Sequence, residues 1–327
     1  MKEKIFLTRT LHDFALKELK KKFQVEIHTG KIPIPQSTLK TKIKEIDGLI
    51  CFPYDKIDKE IIQSAKNLKV ISTYSVGYDH IDTQFAKENK IRVGYTPEVL
   101  TNATADMAFA LLLDSLRRIS EGDRIIRKGK WKQIYGAYDY VGLDLQSKTL
   151  GIIGLGRIGK ILAKRAKAFD MKIIYHNRSH VSKSREKSLG VKYVSLDKLI
   201  TQSDVISIHV PHTSETDQMF NNKIFKKMKN SSFLINTARG KIVNEKDLGI
   251  ALKKKIIAGA GLDVFEQEPY NGPLNEIERC LLTAHMGSMS ADCRARMEIE
   301  ATQEAVRLIS GETLISMAPL EEYENQR

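Results

Sequence analysis

Short apolar runs alternate along the chain with longer stretches in which apolar and charged residues recur at helical spacing. Before Thr101, KIFLTRT, DGLICF, LKVISTYSVG and IRVGYTP read as strands, separated by helical patterns such as FALKELKKKF and KEIIQSAKN. Strands that alternate with helices predict a parallel α/β unit. The segment TNATADMAFALLLDSLRRISEGDRIIRKG then changes character. Thr101 or Asn102 can cap it, its apolar face runs through Met107, Leu111 and Leu112, and the pattern predicts one long helical spine. A second, more regular α/β unit follows, with strands TLGIIG, MKIIYHN, DVISIHV, SSFLINTA, AGAGLDV and CLLTAH. Helices are predicted between them over 157–169, 196–201, 222–228 and 244–254. After His285, SADCRARMEIEATQEAVRLISGE reads as a long helix ended by Gly311 that could return to the first unit.

Composition narrows this picture. A chain of 327 residues is too long for one ordinary core, so two domains are expected. No apolar run approaches the roughly 20 residues a bilayer span needs, and MKEKIFLTRTLHDF lacks a signal-peptide core. A cytoplasmic chain with no membrane partner is the expectation. Cys51, Cys280 and Cys293 form no CxxC pair and have no metal-ligand spacing, so reduced thiols and no metal are expected. Fifty-three basic against 40 acidic residues give +13, but the lysines are scattered over helical faces, as at 20–22 and 253–255. That argues against a nucleic-acid partner. It suits anionic small molecules, which a basic field steers toward a cleft.

The sharpest local signal is Gly151-Ile-Ile-Gly154-Leu155-Gly156-Arg157-Ile158-Gly159, with a strand before it and a helix after it. In that context the pattern is the dinucleotide-binding fingerprint. Gly154 makes the tight turn, Gly156 lets the backbone approach a pyrophosphate, and Gly159 permits close helix–strand packing. The next strand ends in His176-Asn177-Arg178-Ser179, about 20 residues on, where an NAD-selective site places a carboxylate for the ribose 2′-OH. Here an amide, a guanidinium and a hydroxyl stand instead, which welcome a 2′-phosphate. NADP is therefore the preferred cofactor and NAD the alternative.

Three polar residues fall at the ends of late strands, where ligands bind in doubly wound sheets: Arg239 in NTARG, Glu268 in LDVFEQEP and His285 in TAHMGS. Reduction of a keto acid builds negative charge on the carbonyl oxygen. A histidinium can deliver the proton while a carboxylate holds its ring, and an arginine can polarise the carbonyl and pair with the substrate carboxylate. GLGRIG, INTARG, LDVFEQEP and TAHMGS, in that order, resemble the D-isomer-specific 2-hydroxyacid dehydrogenase family across essentially the whole chain. TNATADMAFALLL, EGDRIIRKGKW and YVGLDLQSKTLGIIGLGRIGK resemble its glyoxylate/hydroxypyruvate reductase branch most.

The resemblance implies an α/β fold of two Rossmann-like doubly wound parallel-sheet domains with an active-site cleft between them. A substrate domain of residues 1–99 plus 286–327 and a cofactor domain of 100–285 are implied. It implies catalytic roles for Arg239, Glu268 and His285, and substrate-carboxylate binding by the backbone N–H groups of Val76 and Gly77 in SVGYD. Thr104 is expected near the cofactor, Val210 and Pro211 along the adenosine and ribose, Thr237 and Ala238 in the cofactor loop, and Asp263 at the nicotinamide carboxamide. The chain departs from the family pattern at Ala284, where a proline is usual, at His212, where a leucine is common, and at Asn102, often an aspartate. The implied activity is NAD(P)H-dependent reduction of glyoxylate, hydroxypyruvate or a related 2-keto acid to the D-2-hydroxy acid. A short 3-phosphoglycerate or D-lactate dehydrogenase stays open, as does a dinucleotide-sensing corepressor-like binding protein. The family is usually dimeric through residues 101–146, where Trp131, Tyr135, Tyr138 and Tyr140 suit a contact.

Overall fold

The computed structural model describes residues 2–310, 312 and 316–318. The chain divides into two compact units, Met1–Leu100 with Met289–Arg327, and Thr101–Ser288.

The first unit is built from β1 (Lys4–Leu7), α1 (Asp13–Lys22), β2 (Gln24–Ile27), α2 (Gln36–Lys42), β3 (Gly48–Cys51), α3 (Lys59–Gln63), β4 (Val70–Thr73), α4 (Thr83–Glu88) and β5 (Arg92–Gly94). Its strands pair in parallel in the order β2-β1-β3-β4-β5. β3 and β4 are buried at every position; GLIC reads as an apolar run, while VIST ends in the buried polar Ser72 and Thr73. β2 is absent from the strands that the sequence pattern predicts. Its sequence QVEI alternates exposed and half-buried positions at the sheet edge, so it offers no apolar run to detect. Asp58 and Asp82 start α3 and α4 by accepting from Ile61 N–H and Phe85 N–H.

The second unit contains α5 (Thr101–Arg117), α6 (Ile119–Arg127), β6 (Thr149–Ile153), α7 (Arg157–Lys167), β7 (Lys172–His176), α8 (Lys183–Leu189), β8 (Val191–Tyr193), α9 (Leu196–Gln202), β9 (Val205–Ile208), α10 (Asn222–Phe225), β10 (Phe233–Asn236), α11 (Glu245–Lys253), β11 (Gly259–Leu262) and β12 (Cys280–Leu282). Seven parallel strands run in the order β12-β11-β10-β9-β6-β7-β8, so the order reverses between β6 and β9. Six of these strands are the six that the sequence predicts; β8, three residues long, is the addition. Alternate residues feed two cores. Leu150, Ile152, Ile173 and Tyr175 pack with α5 and α7 on one face, while Ile153, Ile174, Ile206 and Ile208 pack with α9, α10 and α11 on the other.

The expected single spine is two helices. Arg118 takes φ +58°, in the left-handed region, between α5 and α6. The Asp114 carboxylate closes the corner by accepting from the Ser120 N–H at 2.7 Å and from the Ser120 hydroxyl. Arg118 Nε donates to Glu121 at 2.7 Å. Neither glycine nor proline marks the break, which is why helical periodicity runs through it.

The last helix, α12 (Ala291–Ile309), belongs again to the first unit and packs on β3, β4, β5 and α1. Gly311, expected to end it, lies outside the described residues. Among the described residues no helix is long and apolar enough to cross a membrane, and no group of three or more His, Cys, Asp or Glu side chains is placed to hold a metal ion.

Candidate active site

The residues that carry chemistry in the second unit follow the C-terminal ends of β6, β7, β9, β10, β11 and β12. At β6 the chain turns through Gly154 at φ +95°, and an added Cβ there would collide with the His209 carbonyl. A Cβ at Gly159 would strike the Gly154 carbonyl, so the turn and α7 touch backbone to backbone. Gly156, the N-cap of α7, is different: nothing lies within 4 Å of where its Cβ would be, and no side chain caps the helix. An open backbone approach to an uncapped helix N-terminus suits a phosphate. Val210 lies against Gly154, and the Pro211 carbonyl accepts from the Thr216 hydroxyl at 2.8 Å.

Asn177, after β7, accepts from the Leu155 N–H through Oδ1 at 2.6 Å. Because that partner can only donate, the amide orientation is fixed and Nδ2 is the atom directed elsewhere. The position that carries an acid in NAD-selective sites thus offers a donor. Arg178 and Ser179 are exposed, and Arg178 Nη1 stands 4.0 Å from Glu215 Oε2. His212 pairs with Asp217 at 2.7 Å.

At the ends of β10, β11 and β12 the structure assembles a tighter group. His285 Nδ1 lies 2.7 Å from Glu268 Oε2, and the second oxygen of Glu268 accepts from the Phe265 N–H at 3.0 Å. Burial alone would raise the Glu268 carboxyl. The hydrogen bond and charge of His285, the Phe265 N–H and the charge of Arg239 outweigh it and hold the pKa below its ordinary value of 4.5. His285 itself adopts φ +52°, an uncommon conformation for a non-glycine residue that its turn must enforce. His209, after β9, is half-buried, bonded to Ser207 at 2.8 Å, and pushed by burial to a pKa of about 4. It stays neutral and is no rival as a proton donor.

Three residues that sequence reasoning left without a role, or with another one, build this group. Asp263 is 1% exposed; it accepts from the Thr283 hydroxyl at 2.6 Å and from the Met286 and Gly287 N–H groups at 2.7 Å each. It therefore fastens the turn that carries His285. Asn236 is buried and braces the Arg239 turn, donating to the Arg239 carbonyl at 2.9 Å and accepting from the Ala238 N–H at 3.0 Å. Gly240 lets this turn press on the next loop, since a Cβ there would overlap the Phe265 carbonyl three residues ahead of Glu268. Asn236 and Gly240 both stand in the quoted INTARG motif, which was the available signal.

Thr104, buried on α5, lies against Gly287 beside Asp263. The Thr237 hydroxyl, next to the Arg239 turn, is buried with no hydrogen-bond partner among the described residues. Val76 and Gly77 lie in the first unit, in the loop that follows β4.

Three comparisons bear on this arrangement. A family model described as D-isomer specific 2-hydroxyacid dehydrogenase, NAD binding domain, matches residues 109–287. The chain is 43% identical over 316 residues to a glyoxylate reductase of Thermococcus litoralis, covering 95% of each. Among solved structures it resembles a protein of Thermus thermophilus with a TM-score of 0.90 and 39% identity, covering 97% of this chain and 100% of that one. It also resembles an NADPH-dependent glyoxylate/hydroxypyruvate reductase of Sinorhizobium meliloti in complex with NADP and malonate, with a TM-score of 0.85 and 29% identity. That match covers 100% of this chain and 99% of the other.

The state of Glu268 has a measurable consequence. A carboxyl with a lowered folded pKa stabilises the native state above its unfolded value and loses that contribution as pH falls through the folded one. Urea unfolding from pH 6 down to about 3 is expected to show a shallower acid loss for Glu268→Gln than for the unaltered protein. Equal slopes would mean that the pair does not hold the carboxylate.

Proposed function

The chain belongs to the D-isomer specific 2-hydroxyacid dehydrogenase family, and from that premise we propose that it reduces glyoxylate, hydroxypyruvate or a closely related 2-keto acid to the D-2-hydroxy acid. The observation that carries this reading is the 2.7 Å His285–Glu268 pair, held at the same sheet edge as Arg239. With Nδ1 committed to Glu268, Nε2 is the ring nitrogen that hands a proton to the carbonyl oxygen. The Glu268 carboxylate fixes the orientation of the ring. Arg239 pairs with the substrate carboxylate and polarises the carbonyl. Val76 and Gly77 present backbone N–H groups to the same carboxylate. A bound reduced nicotinamide supplies the hydride.

The second unit is the cofactor domain in this reading, and its residues fit a dinucleotide. Gly154, Leu155, Gly156, Arg157, Ile158 and Gly159 take the pyrophosphate; Val210 and Pro211 take the adenosine and ribose. Thr237, whose hydroxyl is orphaned, and Ala238 line the central part. Thr104 and the remaining acceptor capacity of Asp263 face the nicotinamide. NADP is preferred, because Asn177 offers Nδ2 while Arg178 and Ser179 stand exposed beside it. Glu215, close to Arg178, is the feature that keeps NAD as the alternative.

A homodimer is part of the proposal. Ile134 and Tyr138 are 89% and 93% exposed, and Trp131 and Tyr140 also stand out from residues 119–141. Such an apolar stretch suits a self-complementary interface. The free, buried cysteines suit the reducing cytoplasm.

In a steady-state assay of NADPH with a panel of 2-keto acids, glyoxylate and hydroxypyruvate are expected to turn over. His285→Ala should lower kcat by roughly 10²–10⁴-fold. Absence of turnover on every keto acid would leave a binding module. Asn177→Asp is expected to cut the NADPH-over-NADH ratio of kcat/KM by about tenfold or more, as an acid meets the 2′-phosphate; an unchanged ratio would remove the argument from this position. Light scattering is expected to give a dimer that Ile134→Glu combined with Tyr138→Glu turns to monomer; a monomeric unaltered protein would contradict the interface.

A further inference from the structure

The loop that follows β4 is braced by a chain of hydrogen bonds that none of the roles above uses. Ser75 Oγ lies 2.5 Å from the Gly77 carbonyl oxygen, Thr73 Oγ1 lies 2.9 Å from Ser75 Oγ, and His80 Nε2 lies 3.0 Å from Thr73 Oγ1. Thr73, Ser75 and Gly77 are buried, and His80 is half-buried. The base of the loop is tied separately, since the Thr96 N–H donates to the Ser75 carbonyl at 2.9 Å.

The direction of every bond in this chain follows from its last member. A carbonyl oxygen only accepts, so the Ser75 hydroxyl donates to Gly77. With that proton committed, Ser75 Oγ accepts, and the Thr73 hydroxyl donates to it. Thr73 Oγ1 has then no proton left for His80, so His80 donates from Nε2–H. Cys51 Sγ, 3.9 Å from the same nitrogen, is at most a weak second acceptor.

What the chain holds is a glycine. Gly77 has no Cβ to restrict its backbone, so the bond at its carbonyl is what fixes its ψ. Its own N–H and that of Val76 have no hydrogen-bond partner among the described residues, although Gly77 is buried. Adjacent unpartnered N–H groups in a fixed turn form a concavity for an anion.

We propose that His80 is a positioning residue that acts through Thr73 and Ser75 to hold the Val76 and Gly77 N–H pair in the orientation that receives the substrate carboxylate. This rests on the reading above that the chain reduces small 2-keto acids. Loss of the relay leaves Arg239, Glu268 and His285 in place and loosens only the carboxylate. The effect therefore falls on the KM for the keto acid rather than on kcat or on the KM for NADPH.

The experiment compares His80→Phe, Thr73→Val and Ser75→Ala with the hydroxyl- or donor-preserving His80→Gln and Thr73→Ser, in steady-state kinetics with hydroxypyruvate. The first three are expected to raise the keto-acid KM by roughly three- to tenfold, the loss of about one hydrogen bond, with kcat and the NADPH KM within about twofold. Glutamine at 80 and serine at 73 should restore most of the difference. An unchanged KM in Thr73→Val and Ser75→Ala would overturn the relay. So would a parallel fall in kcat, cofactor binding and melting temperature that His80→Gln fails to rescue, which marks a purely structural part. Nitrogen-15 shifts of the His80 ring in the unaltered protein give a second, activity-independent test, with proton on Nε2 expected; a neutral ring protonated on Nδ1 alone would overturn the relay even if keto acids are reduced. Conversely, an Nε2–H ring in a protein that reduces no keto acid would leave the relay standing and remove the reading of the substrate.

Discussion

A strand can pass its chain to a parallel neighbour only by crossing over a face of the sheet, so parallel pairing sends every strand's C-terminal end to one edge. In the second unit this collects the glycine turn after β6, Asn177 after β7, Val210 after β9, Arg239 after β10, Asp263 after β11 and His285 beyond β12. Both faces of the sheet are closed by apolar cores, which leaves that edge as the place where backbone N–H groups and polar side chains meet. The chemistry of the site is in this sense a consequence of strand direction.

Within that edge, position is set by buried polar groups that bond to the turns. The buried carboxylate of Asp263 gathers a hydroxyl and two backbone N–H groups and so dictates the turn in which His285 sits at positive φ. Asn236 does the same for Arg239, and Gly240 brings the Arg239 turn against the loop of Glu268. Arg239, Glu268 and His285 are thus held from below by donors and acceptors that are themselves hydrogen-bonded within the protein. The Thr237 hydroxyl is the exception, buried and without a partner, in the part of the site assigned to the dinucleotide. Preorganisation of this kind lets charge develop in the reaction without rearrangement of the protein.

Much of this was legible in the sequence, for identifiable reasons. Buried parallel strands such as GLIC and TLGII announce themselves as largely apolar runs, and the glycine fingerprint carries its own strand and helix context. Arg239, Glu268 and His285 stood at strand ends where ligands gather. Three kinds of feature were hidden. Edge and very short strands, QVEI and VKY, lack the apolar signal. The corner at Arg118 is made by a side chain, Asp114, that caps at a distance and leaves the helical period intact. Hydrogen-bond direction is likewise invisible: nothing in the letters says that Asn177 turns its oxygen to Leu155, or that Asp263 fastens the turn of His285.

In the proposed reaction hydride goes to C2 of a 2-keto acid on the face that yields the D-hydroxy acid, with His285 as the proton source. The most direct test reduces hydroxypyruvate with dinucleotide deuterated at its reactive carbon and reads the label and the configuration of the product. Deuterium retained at C2 of D-glycerate is the expected result. Label lost to water, or an L-configured product, would contradict it.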